Sequence, residues 1–296
     1  MKEHKVSAVI VEAVRTPVGK RNGGLSGIHP VDLSAVVLNA LVERASIAPA
    51  VVEDVIWGCV QQVGEQSQDI ARTALLAAGW PETVPGVTID RQCGSSQQSL
   101  NFAVASVEAG HYDVVVAGGV ESMSRVPMGS SVQVAGKPYS QTFLDRYDGV
   151  VPNQGIGAEM IAEKWGMSRT EVDEFSARSH ELAAAAQDAG LFDAQIVPVT
   201  TPDGTVISKD EGIRRGTSVE TLAKLKPVFK EDGVIHAGNA SQISDGASAL
   251  LIMSEEAAAK YGLTPIAKIR TATVAGADPV IMLTGPIPAT AKALEK

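Results

Sequence analysis

Short runs of β-branched and small apolar residues recur along this chain, and stretches with helical periodicity separate them. The first run, VSAVIVEA at 6–13, is almost continuously apolar, as a strand buried on both faces must be. Comparable runs stand at 54–60, 84–89, 113–119 and 247–253. Between them the spacing predicts a helix over 30–46, with Leu33, Val36, Val37 and Leu41 on one face and Pro30 near its start. Further helices are predicted over 69–78 and from residue 93 to Ala109, the latter stopped by Gly110. Strands alternating with helices predict a parallel sheet with crossovers, an α/β protein. Gly118, Gly119 and Gly246 read as tight backbone turns. No GxGxxG spacing accompanies them, so they form no dinucleotide fingerprint.

The stretch 123–238 breaks the pattern, with Gly, Pro and Ser scattered among charges. Helices are predicted at 156–165 and 170–189, the second with Val172, Phe175, Ser179, Leu182, Ala183 and Ala186 on one stripe. A segment this long is expected to form a small lid domain rather than a loop. The regular pattern then resumes. SEEAAAKYG reads as a short helix capped by Ser254, with Ala257 and Ala258 inward; IAKIRTATVAG reads as a strand; GPIPATAKALEK opens a further helix that runs to Lys296.

Composition narrows the function. Apolar residues make up 45%, charged residues 20%, and the net charge is −9. An acidic protein of pI about 5.1 does not attract nucleic acid globally, so an anionic ligand needs a local basic patch. Two cysteines without a CxxC pair leave no disulfide framework, zinc site or thioredoxin-like motif. The opening MKEHKVSAVIVEAVRTP is too short and too polar for a signal peptide or a membrane span. A reducing cytoplasm is the expected setting.

One of the two cysteines, Cys93, falls where a strand ends and a helix begins, in TIDRQCGSSQQSL. That helix has an apolar stripe of Leu100, Ala103, Val104 and Val107, with Glu108 as its only charge, so it is expected to be buried on most sides. Its first-turn N–H groups would form an anion site, lower the thiol pKa and steady an oxyanion on a carbonyl attacked by sulfur. The competing reading is a small inert hydrophobe, which suits Cys59 in VIWGCV. A nucleophilic cysteine usually needs a histidine base. None of His4, His29, His111, His180 and His236 has catalytic surroundings in the sequence.

DRQCGSS followed by VVVAGGVESMS resembles the thiolases, CoA-dependent acyltransferases. RTPVGK, GIGAEMIAEKWGMSR, KLKPVF, AGNASQISDGASALLIMS and TGPIP agree in family order, so the resemblance runs along essentially the whole chain. RQCGSSQQ and QGIGAE look more like the degradative 3-ketoacyl-CoA thiolases of β-oxidation and steroid side-chain breakdown than the biosynthetic ones. The resemblance implies two similar halves packed as αβαβα layers, with the second repeat incomplete here. It places the N-terminal core at 1–122 and 244–268, the lid at 123–243 and the start of the C-terminal core at 269–296.

The resemblance also implies a mechanism. Cys93 attacks the keto carbon of a 3-ketoacyl-CoA, acetyl-CoA leaves, and free CoA takes the acyl group from sulfur; the reverse is a Claisen condensation. CoA and acyl-CoA are substrates, and no permanently bound cofactor or metal is implied. Arg214 in GIRRGTS would lie by the CoA nucleotide, Ser241 would contact the pantetheine arm, and Phe229 and Ala237 would line its tunnel. Lys209, Arg214, Arg215, Lys224, Lys226 and Lys230 form a local basic excess that suits a phosphorylated ligand. A homodimer or homotetramer is implied.

The sequence departs from the family pattern in two places. Asn153-Gln154 replaces a His-Met pair before GxxAE, so the acyl pocket differs. The Asn-Glu-Ala-Phe, Gly-His-Pro and late Cys-x-Gly motifs, which carry an oxyanion-hole asparagine, the histidine base and a second cysteine, do not occur; their expected place is beyond Lys296. Little turnover and an exposed apolar surface are therefore expected of these 296 residues. Two other readings remain open: a ketosynthase-type condensing enzyme, and a degenerate thiolase-like protein that binds acyl-CoA without turnover.

Overall fold

A computed structural model describes residues 6–134 and 136–296; His4 lies outside them. In chain order the elements are β1 (Ala8–Arg15), β2 (Gly19–Lys20), α1 (Pro30–Arg44), β3 (Asp54–Gly58), α2 (Ile70–Ala77), β4 (Gly86–Ile89), α3 (Ser95–Glu108) and β5 (Val114–Ser122). Then come α4 (Gln141–Arg146), α5 (Gln154–Trp165), α6 (Arg169–Asp188), β6 (Val199–Thr200), β7 (Val206–Ile207) and α7 (Val219–Leu222). The last are β8 (Ser244–Ser254), α8 (Glu255–Lys260), β9 (Ala267–Lys268) and α9 (Pro286–Leu294). The chain divides into two compact units.

The first unit comprises Met1–Val134, Asp193–Gly212 and Ile243–Ala272. Its main sheet has the order β4-β3-β5-β8-β1-β9, with β2 added beside β8. β3 pairs parallel with β4 and β5, but β8 lies antiparallel between β5 and β1. The expected parallel sheet is thus a mixed one. The late strand β8 enters the middle of the sheet, where both of its edges are paired. Such an insertion depends on a long-range return of the chain and leaves no local signal.

Both faces of this sheet are covered, which explains its apolar runs. On one face Leu33, Val37 and Leu41 of α1 and Ala71, Ala74 and Leu75 of α2 meet Val55, Trp57, Val116 and Leu251. On the other, Ala103, Val104 and Val107 of α3 meet Ile56, Val115, Ala117 and Ile252. α1 begins where Pro30 and a cap from His29, whose Nδ1 accepts the Val31 N–H, start it. Gly110, at φ +77°, ends the α3 region as expected. Ser254 caps α8, and Ala257 and Ala258 are buried.

Three local expectations fail. Gly118 and Gly119 are not turns but interior residues of β5, and Gly246 lies in β8. A side chain on Gly118 would strike Trp57 and Ser248, and one on Gly119 would strike Ser96 and Gly58. The strand expected at 266–276 shrinks to the two residues of β9, which pair with β1 alone. α3 is buried on one face only; Gln97, Ala105 and Phe102, the last 45% accessible, are exposed.

The second unit comprises Ala135–Phe192, Ile213–Gln242 and Thr273–Lys296. α5 starts at Asn153, whose Oδ1 accepts the N–H groups of Gly155 and Ile156. α6 starts with a reciprocal cap between Ser168 and Glu171. The apolar stripe expected on α6 is covered only in part. Phe175 is 78% and Leu182 58% accessible, while Asp173 is buried. Only Asp173 is buried; Ala177, His180 and Ala184 beside it are half-buried and face the returning 213–242 segment, as Val172, Ala183 and Ala186 of the expected stripe are also half-buried.

Candidate active site

In the first unit the nucleophile candidate sits on a tight connection. β4 ends at Ile89 and α3 begins at Ser95. Asp90 Oδ1 accepts the Gln92 N–H at 2.6 Å, and Gln92 takes φ +48°, a left-handed conformation that costs a non-glycine residue about 1 kcal/mol or more. Ser95 Oγ closes the turn by accepting from the Arg91 N–H and donating to the Gln92 carbonyl. Cys93 is held at the apex and is exposed.

The sheet beneath has been cleared for this turn. A side chain on Gly58 would collide with the Ser96 backbone, and one on Gly119 with the Ser96 hydroxyl, so the first turn of α3 rests directly on β3 and β5. Ser99 Oγ donates to the Gly118 carbonyl at 2.9 Å and fastens the second turn. The Ser95 N–H bonds Gln92 O and the Gln98 N–H bonds Gly94 O, while the Ser96 and Gln97 amides meet no acceptor among the described residues. Free amides at a helix start are the arrangement that steadies an anion or oxyanion.

Cys59 is the opposite case. It is buried, its N–H bonds Ile89 O, and burial with the Glu121 and Asp90 carboxylates pushes its thiol far above the usual range. Its burial agrees with the reading of a small buried hydrophobe. Three of the described histidines have side-chain partners other than Cys93. His29 caps α1, His180 Nδ1 accepts the Arg214 N–H at 3.2 Å, and His236 meets Asp173 and Gly238.

In the second unit, Arg214 and Thr217 of the 213–217 loop face Ala177, His180, Glu181 and Ala184 of α6 across an open cavity of about 330 Å³. Burial and the Arg214 guanidinium hold the His180 pKa below the ordinary histidine value. The basic excess is partly spent. Arg215 forks onto Asp188 at 2.7 Å, and Lys230 pairs with Glu163 at 3.4 Å. Arg214, Lys224 and Lys226 have no ion pair among the described residues.

Phe229 lies with its ring against Gly155, where any side chain would strike it. Ala237 and Ser241 are both exposed on one stretch, 233–241. Two buried carboxylates hold that stretch. Glu159 accepts the Val234 and Ile235 N–H groups at 2.9 and 2.8 Å, and Asp173 takes His236 Nε2 at 2.6 Å. Sequence reasoning missed Glu159 and Asp173, because an acid in a charged helix carries no sign that it is buried.

Residues 8–256 match the family model for the thiolase N-terminal domain. This chain belongs to the thiolase family. It is 50% identical to the steroid 3-ketoacyl-CoA thiolase FadA6 of Mycobacterium tuberculosis, covering 98% of this chain and 72% of that protein. It is 45% identical to a 3-ketoacyl-CoA thiolase of Saccharophagus degradans, over 97% of this chain and 74% of that one. The crystal structure of the Bacillus anthracis acetyl-CoA acetyltransferase superposes with a TM-score of 0.87 at 41% identity, over 97% of this chain and 75% of that chain. The layered α/β arrangement of the first unit is thus a thiolase fold, and thiolases are acyltransferases. Among the described residues no cluster of His, Cys, Asp and Glu could hold a metal ion, and no helix is long and apolar enough to cross a membrane.

Proposed function

We propose that this thiolase-family chain binds CoA thioesters and accepts an acyl group on Cys93 in the thiolytic cleavage of a 3-ketoacyl-CoA. One observation carries the reading: an exposed cysteine at the apex of a strained turn, followed by two acceptor-free amides at the start of α3. In the forward direction the Cys93 thiolate adds to the keto carbon. The bond between C2 and C3 breaks, its electron pair goes to the departing acetyl-CoA carbon, and a proton completes acetyl-CoA. The acyl group then passes from Cys93 to the thiol of a second CoA. A thioester intermediate keeps a good leaving group throughout.

CoA recognition is assigned to Arg214 for the nucleotide and to Phe229, Ala237 and Ser241 for the pantetheine arm. Arg214 supports its role by having no ion pair and by lining an open cavity. The 123–243 segment acts as the lid. The names of the relatives favour a 3-ketoacyl-CoA substrate, for the first of them a steroid one. The degradative direction, a place in lipid or steroid β-oxidation, the cytoplasm as setting and a homodimer or homotetramer belong to the same proposal. Full turnover calls for a histidine base and a second cysteine on motifs absent from these 296 residues, so the assignment to this chain is binding and acyl transfer to Cys93.

The test is incubation with acetyl-CoA followed by peptide mass spectrometry. One acetyl group on the Cys93 peptide, absent from Cys93→Ala, is the expected result. CoA binding without acylation would instead favour the binding protein without turnover. No binding at all would remove the reading.

A further inference from the structure

We infer that the buried pair Asp173 and His236 is a positioning device for CoA binding, setting the turn that presents Ala237 and Ser241. This rests on the reading that those two residues receive the pantetheine arm. The pair is fully enclosed, His236 being 0% and Asp173 1% accessible. The His236 ring is spoken for at both nitrogens. Its Nδ1 accepts the Gly238 N–H at 3.0 Å, so the ring proton is on Nε2, which donates to Asp173 Oδ1 at 2.6 Å. The other Asp173 oxygen accepts from Arg169 Nε at 2.9 Å, and Arg169 also donates to the Leu222 and Leu225 carbonyls.

The ring therefore sits at the hub of the 236–240 turn. The His236 carbonyl accepts the Asn239 and Ala240 N–H groups, and Asn239 Oδ1 accepts the His236 N–H at 2.8 Å. Asn239 Nδ2 donates to the Val234 carbonyl, tying the turn to the strap held by Glu159. The side chains of His236 and Asn239 and the N–H groups of Gly238, Asn239 and Ala240 thus all find partners within this network, and Ala237 and Ser241 are the exposed residues of 236–241. A buried polar network satisfied at each member specifies one geometry. Asp173 and His236 do not touch the ligand in this reading; they act through the turn.

The test compares CoA with 3′,5′-ADP, its nucleotide portion, by isothermal titration calorimetry on the full chain. His236→Ala should weaken CoA binding about tenfold, the scale of one lost buried hydrogen bond, and leave 3′,5′-ADP binding unchanged. His236→Asn, whose amide oxygen can accept the Gly238 N–H, should recover part of the loss. If His236→Ala does not fold, Asp173→Asn is measured instead, with the same split between the two ligands expected. Wild-type affinity for CoA in these variants overturns the inference and leaves the proposed function standing. Equal weakening of both ligands also overturns it, because it marks general distortion. Failure of the wild-type chain to bind CoA overturns the proposed function and this inference with it.

Discussion

Gly58 of β3 lies directly beneath the backbone of Ser96 in the first turn of α3, with no room for even a methyl group between them. The contact sets how deeply the helix that follows Cys93 can sit on the sheet. Gly119 makes the same allowance on the neighbouring strand, so two missing side chains place the turn.

Gly58→Ala should therefore destabilise the protein by about 1–3 kcal/mol, the cost of forcing an extra group into a packed interior. Urea unfolding measures it. Because the displaced element carries the nucleophile turn, the rate of Cys93 alkylation should change in the same variant. A neutral midpoint would mean that α3 rides higher than described.

The two cysteines should separate cleanly in the folded protein. Cys93 is exposed, and Cys59 is buried beside two carboxylates that disfavour its thiolate. Iodoacetamide should label Cys93 alone, with Cys59 reacting at least about tenfold more slowly until urea unfolds the chain. Peptide mapping checks the order. Prompt labelling of Cys59 would contradict its burial.

What the sequence disclosed and what it hid divide along a physical line. α1 was legible because Leu33, Val37 and Leu41 recur at helical spacing and Pro30 marks the start. The placement of Cys93 between a strand and a helix was legible from the change of periodicity at Ile89. Features set by distant partners were not. β8 lies antiparallel between β5 and β1, although an alternating pattern of strands and helices favours parallel neighbours. Phe175 and Leu182 outrank Asp173 and His180 in hydrophobicity, yet they are exposed while Asp173 is buried and His180 half-buried, because the His236 ring and the Arg214 N–H that meet Asp173 and His180 arrive from the 213–242 segment. Hydrophobic periodicity cannot see a face buried through hydrogen bonds.

Ser254 joins two elements through one hydroxyl. Its Oγ accepts the Ala257 N–H at 3.0 Å to cap α8 and donates to Asp113 Oδ1 at 2.9 Å. Ser254 itself is buried while Asp113 is exposed, and Ser254→Ala removes both bonds. A loss of about 1–2 kcal/mol is expected in thermal unfolding. Ser254→Thr should retain most of it, because Thr keeps the hydroxyl.

The last prediction concerns acid. His180 is held below its ordinary value of 6.5, first by burial and then by the Arg214 guanidinium, while its Nδ1 accepts the Arg214 N–H. The unfolded chain therefore binds this proton more readily than the folded one. The contribution to stability is fully present above 6.5 and is lost as pH falls through the lower folded pKa. Protonation also removes the acceptor that fixes the Arg214 backbone at the cavity edge. An NMR titration should give His180 an apparent pKa below 6.5, and Arg214→Ala should move it upward. In urea unfolding between about pH 7 and about pH 5, His180→Gln should lose less stability than the wild type, because its side chain does not titrate. A His180 resonance at or above the ordinary value would show that the Arg214 loop does not close on α6 in solution.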